Sequence, residues 1–485
     1  MSDGAAMIGD HLWRLDDEIV PVHTHDDREV LIRRAADGTP EVFGSARAAS
    51  EAACDHALGS DESGLGLAAE ALGDSDSGRV SRRTVLGGLA ALGALGAVSA
   101  QPRYAFAAPS SAAAATAAPR RDTLIVIFLR GASDGLQMVA PVADPAYRTA
   151  RPGIALTAEN TLRASSMFGF HPAMAPLMPL WSAKQLAVVH AVGNPNATRS
   201  HFDAQLDMER AAPVGVRSGW LGRHLAATSK STDILRAVTL GDRAALSASA
   251  FPTASMSDLD SFDISGWSGY RRSIDSTLAT MYSRAGGPVS RDAGRTFRAV
   301  GALATSRATK ATTTGYPDDE FGRGMAEIAR MMRAGAPVEA ACIDHRDWDL
   351  HRNHGTPTEE WGPMRRNIDS LARGIAAFRA DVGSLWRRTT VVTMSEFGRR
   401  VEENSTGGTD HGHGNVMLLA GGNVVGGKVH GRWPGLAASA LHDGDLAVAT
   451  DYRDVVGEIL TRRLSTPNLA GVFPGHVYRP LGVVR

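Results

Sequence analysis

Five short apolar runs constrain this chain more than any other feature: Leu124–Leu129, Leu186–Ala191, Val338–Ile343, Val391–Met394 and Val416–Ala420. Each reads as a buried strand. Leu124–Leu129 is apolar at every position, the pattern of a strand covered on both faces in a parallel sheet rather than on one. Helical stretches separate the runs. Glu320–Met332 is expected to be a helix ending at Gly335 and Pro337. Trp361, Met364, Ile368, Leu371, Ile375, Phe378, Val382 and Leu385 recur three and four apart, as one apolar helix face does. Met174–Trp181 reads as a helix too, and the stretch from Thr450 through Leu464 as a capped one. Residues 214–315 are less regular and are expected to hold a sheet edge with inserted helices. The fold class is therefore α/β.

Chemistry-bearing residues gather where these runs end. Arg130 and Asp134 follow the first. Ser200 stands where a helix begins after the second. It is either a helix N-cap or a nucleophile poised over helix amides that stabilise an anion. After the third run, Asp344, His345, Asp347, Asp349, His351 and His354 fall within eleven residues. In extended chain, Asp349 and His351 point to one side, as two ligands must. Glu396 ends the fourth run, and Asp410, His411 and His413 precede the fifth. Carboxylates and imidazoles clustered at strand ends beside glycines point to a divalent metal. A solvated glycine-rich loop is the alternative. Gly422–Lys428 fits a phosphate-loop pattern, but Val429 stands where Ser or Thr must follow the lysine, so a glycine turn between strands is expected.

The chain has 485 residues and a formal net charge of −1, with no basic stripe, which argues against nucleic-acid binding. Its two cysteines, Cys54 and Cys342, have no neighbours at zinc-finger spacing, and no disulfide framework is expected. Residues 1–78 read as an acidic, largely disordered extension, although Trp13–Phe43 has room for a small strand or helix. Residues 79–107 read as a twin-arginine export signal: Arg82-Arg83, a weakly apolar run, then Ala105-Phe106-Ala107 as cleavage site. A transmembrane helix is the alternative, for which Thr84–Ala100 is short. Residues 108–121 form a tether, and 122–485 the folded domain. Export by the twin-arginine machinery places the mature protein in the periplasm or elsewhere outside the cytoplasm, without a stable transmembrane span.

With these pieces placed, the chain resembles the exported bacterial family DUF1501. The residues that carry the likeness are Leu129-Arg130-Gly131 with Asp134-Gly135, Arg199-Ser200-His201-Phe202-Asp203-Ala204-Gln205, Trp348-Asp349-Leu350-His351, Ser395-Glu396-Phe397-Gly398-Arg399, Thr409-Asp410-His411-Gly412-His413-Gly414 and Thr450-Asp451-Tyr452-Arg453-Asp454. That family looks like a branch of the alkaline phosphatase and sulfatase superfamily. The resemblance implies a doubly wound, mainly parallel sheet with helices on both faces and an alkaline-phosphatase-like core. It also implies a metal site built from Asp134, Asp349, His351, Glu396, Asp410 and His411 or His413, holding zinc, magnesium, manganese or calcium. Ser200 would be the nucleophile, with Arg130 or Arg199 available to the anion. The expected activity is hydrolysis of a small phosphoester or related anionic ester. The alternative is a non-catalytic, metal-bearing cell-envelope binding protein on the same fold. Two departures from the superfamily pattern stand out. Phe397 replaces a metal-binding His or Asn, which implies a shifted or missing second metal. Cys342-Ile-Asp-His-Arg346 lacks the proline of a formylglycine motif.

Overall fold

The computed structural model describes residues 122–485, apart from 197, 229–232, 242, 263–270 and 357–358, together with five strands between residues 5 and 45. Two compact units, Met1–Ala113 and Ala114–Arg485, each stand by themselves. In the first, Ala5–Ile8 pairs antiparallel with His11–Arg14, and Ile19–His23, Glu29–Arg34 and Pro40–Ser45 form an antiparallel meander. The segment Trp13–Phe43 thus contains strands. The rest of the acidic extension up to residue 78, the export signal and the tether all lie outside the described residues.

The second unit is a doubly wound α/β domain. Its sheet has nine strands: β1 (Thr123–Leu129), β2 (Leu186–Gly193), β3 (Ala237–Leu240), β4 (Ala254–Met256), β5 (Ala340–His345), β6 (Thr389–Met394), β7 (Asn415–Gly421), β8 (Val429–His430) and β9 (Thr450–Asp451). The order is β4-β3-β5-β1-β6-β7-β2-β8, with β9 also paired to β2. All neighbours run parallel except at β7, which is antiparallel to both β6 and β2. As β7 reverses twice, β2 runs in the direction of β1, β5 and β6. The carboxyl ends of these four strands and the start of β7 therefore share one edge, where open α/β sheets place ligands.

Alternation along β1 shows why helices must cover both faces. Ile125, Ile127 and Leu129 pack with Met325 and Ile328 of α4 (Glu320–Arg333) and with Ile368, Leu371 and Ile375 of α5 (Pro363–Val382). Leu124, Val126 and Phe128 pack the other way, against Trp220 and Leu225 of α3 (Trp220–Thr228) and Val455, Val456 and Ile459 of α6 (Tyr452–Arg462). Three local expectations are corrected. Trp361 is not on the face of α5: the helix starts at Pro363, and Trp361 is 75% exposed. Leu385 falls in the 3-10 turn Gly383–Arg388 that follows. Met174–Trp181 is split, a 3-10 turn to Leu177 and one α-turn from Met178, because Pro176 and Pro179 cannot donate to a continuous helix.

Candidate metal centre

The shared edge gathers side chains from three loops. The first is the N-terminus of α2 (His201–Arg210), capped by Ser200. The second is the segment after β5, and the third runs from β6 to β7. Gly131, at φ +106°, lets the turn after β1 lie against the second loop; a Cβ there would sit 2.5 Å from the Asp349 amide. Within the third loop, Gly398 donates to the His413 carbonyl (2.8 Å), Gly412 to Gly398 (2.9 Å) and Arg400 to Asp410 (2.9 Å). This short antiparallel clasp fixes His411. His351 is fixed from the same loop: Asn404 and Thr406 donate to its carbonyl at 2.7 and 3.0 Å.

Three imidazoles and one carboxylate meet there. His411 Nε2 lies 2.9 Å from His201 Nε2 and 2.9 Å from His351 Nε2. Asp349 Oδ1 lies 3.0 Å from His351 Nε2, 3.5 Å from His201 Nε2 and 3.6 Å from His411 Nε2. The other nitrogen of each ring faces an atom that can only accept. His201 Nδ1 is 2.9 Å from Glu396 Oε1, His351 Nδ1 2.9 Å from Asp410 Oδ1, and His411 Nδ1 2.8 Å from the Arg199 carbonyl. Each Nδ1 must therefore carry its proton, which assigns the tautomers. The Nε2 atoms of His201 and His351 then each turn a lone pair toward that of His411, beside an ionised carboxylate.

Such a set calls for a cation. A tetrahedron with metal–ligand bonds of about 2.0–2.1 Å has ligand atoms about 3.3 Å apart, and the separations among His201, His411 and Asp349, of 2.9, 3.5 and 3.6 Å, scatter around that value. The surroundings match a metal site as well, since ligating histidines donate their second nitrogen to carboxylates or carbonyls. Among the described residues, His201, Asp349 and His411 form a group able to hold an ion, with His351 joined to two of them.

Electrostatics agree. Burial opposes ionisation of Asp349, but hydrogen bonds with His201, His411 and Arg399 outweigh it and hold the carboxyl well below its usual range. Arg399 Nη2 donates to Asp349 Oδ1 at 2.6 Å. For His201, hydrogen bonds to Asp349 and Glu396 overcome partial burial and push the imidazole up to about 9.

Glu396 is buried behind His201. Its Oε1 also accepts from the Gly131 amide and from Gln205 Nε2, both at 2.9 Å. His201 and Gln205 reach one oxygen because they sit one helical turn apart on α2. Phe397 floors the centre, its ring 5.0 Å from both the His201 and the His411 rings.

The remaining residues expected from the sequence are placed as follows. Asp410 Oδ1 meets His351 Nδ1 and accepts from Asn404 Nδ2, so with Glu396 it orients a ligand rather than joining the ligand atoms. Asp134 does not reach the centre. It caps the short helix α1 (Gly135–Met138) and pairs with the buried Arg151 at 2.7 Å, a guanidinium occupying its free oxygen. His413 does not reach it either; its Nε2 lies 2.8 Å from the Asn194 carbonyl. In the cluster after β5, Asp344 pairs with Arg130 and His345 accepts from Trp348, while His354 is buried against the Leu350 carbonyl. Arg130 is spent on Glu209 and Asp344 and stacks 3.9 Å over Phe128, so it is not free for an anion. Arg199 pairs with Asp445 at 2.6 Å. Ser200 accepts from the Asp203 amide as a helix cap and makes no hydrogen bond to the imidazole cluster among the described residues. Ser200→Ala is accordingly expected to cost about 1 kcal/mol of stability and to leave metal content unchanged. Loss of bound metal in that variant would put the hydroxyl among the ligands.

Two members were missed in the sequence. His201 was overshadowed by the neighbouring serine, although the first residue of a helix after a cap aims its side chain back toward the helix start. Arg399 is fully buried and donates to the carbonyls of Ala132, Thr409, Gly131 and Trp348 as well as to Asp349. Nothing in a Gly-Arg-Arg string announces that role.

The sequence profile of a family described as "Protein of unknown function (DUF1501)" matches residues 157–461. No curated protein matches the sequence. Solved structures similar to the chain include the C-terminal periplasmic domain of EptC from Escherichia coli, in complex with zinc. It has 11% identity and TM-score 0.31, over 63% of this chain and 74% of that one. A protein in the alkaline phosphatase superfamily from Vibrio parahaemolyticus has 9% identity and TM-score 0.31, over 62% of this chain and 60% of that one. The lipoteichoic acid synthase LtaP from Listeria monocytogenes has 8% identity and TM-score 0.29, over 68% and 75%. The chain spans less than two thirds of the Vibrio protein.

Proposed function

Because the chain belongs to the DUF1501 family, whose matched profile spans more than half of it, its activity must be read from the site, and we propose a one-metal hydrolase of an anionic ester. The observation that carries this is the cluster of His201, His351 and His411 Nε2 atoms, joined through His411 and all facing Asp349 Oδ1, while every Nδ1 is already engaged. His201, His351, His411 and Asp349 would hold the ion. Three imidazoles to one carboxylate suit zinc or another late transition metal; magnesium and calcium take oxygen ligands. Such an ion lowers the pKa of a bound water and neutralises charge on ester oxygens.

The chain's own residues set the rest. Glu396 and Asp410 lock two rings in the ligating tautomer. Arg399 keeps Asp349 ionised and aimed. Phe397 closes the floor, so one face remains open, where Asp349 and His351 are half-exposed. The carboxylates of Asp349, Glu396 and Asp410 against the guanidinium of Arg399 leave two negative charges for a divalent ion to balance. A centre near neutrality suits a singly charged ester, such as a phosphodiester or sulfate ester, better than a doubly charged one. With Ser200 engaged as a cap, water is the attacking group in this proposal. Four protein ligands also fit a closed structural site, which favours a non-catalytic metal-bearing envelope protein as the second reading. We read residues 79–107 as the export signal that takes the protein out of the cytoplasm. No helix among the described residues is long and apolar enough to cross a membrane.

Glu396→Gln separates the readings. A neutral amide holds the His201 ring more weakly, so metal affinity is expected to fall about 10–100-fold. Diester hydrolysis should be lost at limiting metal and return at high metal. Metal-loaded wild-type protein that turns over neither phosphodiesters nor sulfate esters would leave only the structural site.

A further inference from the structure

The helix that brings His201 to the centre carries an unusual outer face. Phe202 is 88% exposed and Leu206, one turn on, 42%. With Arg210 they form a single i, i+4, i+8 row that runs about 12 Å along α2. The row starts beside a ligand histidine. It ends at a cavity of about 440 Å3 lined by Leu206, Arg210, Val216, Arg217, Leu246 and Ser249. Leu246 is itself 48% exposed. This volume lies in the range of small-ligand pockets, and exposed apolar side chains in a connected row mark a binding surface.

We propose that this row and cavity form a subsite for the apolar chain of an amphiphilic, singly charged ester whose head is cleaved at the metal centre. This rests on the hydrolase reading above and specifies its substrate class. Continuity decides the occupant: the row begins at the residue next to His201, so a chain leaving the ester on that side passes over Phe202 and Leu206 into the cavity. The inner side of α2 is unavailable for any such purpose, because Ala204 and Met208 are buried there and Gln205 holds Glu396.

The test compares ethyl p-nitrophenyl phosphate with decyl p-nitrophenyl phosphate on the metal-loaded protein. Wild type is expected to favour the decyl ester in kcat/KM by about tenfold or more, the burial of several methylenes. Leu206→Glu, and independently Leu246→Gln, should draw that ratio toward one. Both side chains are surface-exposed, and bound metal reports that each variant is folded. Turnover of both esters by wild type at equal kcat/KM overturns the subsite and leaves the hydrolase standing. If neither ester is turned over, decyl p-nitrophenyl phosphate is itself titrated calorimetrically against the same proteins. Binding by wild type that Leu206→Glu abolishes upholds the subsite while the hydrolase reading falls; no binding overturns the subsite. A wild-type dimer that Leu206→Glu separates, with ester selectivity unchanged, assigns the patch to a second copy and also overturns it.

Discussion

His411→Ala is expected to empty the centre. Its Nε2 lies 2.9 Å from two of the other ligand nitrogens, so it is the hub of the set. Its removal leaves Asp349 alone to link His201 and His351. It also frees the Arg199 carbonyl that had fixed the ring. The four ligand residues span positions 201 to 411, and a bound ion therefore ties three loops that no disulfide connects. With free metal at about 100 times its dissociation constant, binding adds about 2.7 kcal/mol to stability. The variant should lose that whole contribution. Metal content should fall from one equivalent toward zero. A chelator should lower the melting temperature of wild type but leave that of the variant where it is. One full equivalent of metal in His411→Ala, or a wild-type melting temperature indifferent to chelation, would sink the site.

Arg399→Met should damage the protein more broadly. The guanidinium is buried and serves four backbone carbonyls besides Asp349. Methionine fills much of the volume and offers no donor. Removing one partner of a buried charged set typically costs about 3–5 kcal/mol, because the acceptors left behind are neither paired nor solvated. Metal affinity should fall in the same variant, since Asp349 loses the contact that aims it. Denaturant unfolding and metal titration read the two effects separately. A stability loss under about 1 kcal/mol would mean that water replaces the guanidinium readily, contrary to its burial.

How much was legible in the sequence depended on how local each signal was. The buried strands were, because unbroken apolar runs such as Leu124–Leu129 have few other uses. The reversal of β7 was not: Asn415–Gly421 looks the same whichever way it runs, and its direction depends on the loop that precedes it. Residues 214–315 hold the expected sheet edge, with β3 in the apolar stretch near Ile234–Leu240, while β4 does not stand out from the surrounding Ser, Asp and Thr. In the site, Asp349, His351 and His411 could be named because ligand-type residues crowd around them. The same crowding drew in His413 and His354, and a place at the end of the first strand drew in Asp134; composition cannot separate these from true neighbours of the centre. What separates them is distant in sequence. Arg151 neutralises Asp134 from 17 positions away, and Asn194 engages His413 from 219. His201 shows the converse failure, a single imidazole with no crowd around it.

The pairing of Asp134 with Arg151 also bears on how the protein fares when metal is scarce. An ion must be captured from the surroundings and can be taken away by any stronger binder. A guanidinium arrives with the polypeptide, in fixed stoichiometry, and cannot be exchanged. The turn after β1 is therefore secured by heredity rather than by supply: Arg151 bonds Asp134 and the carbonyls of Arg400 and Val401 with no ion among the partners. On the one-metal reading, losing the ion would untie the three loops of the rim and leave this anchor of the turn in place.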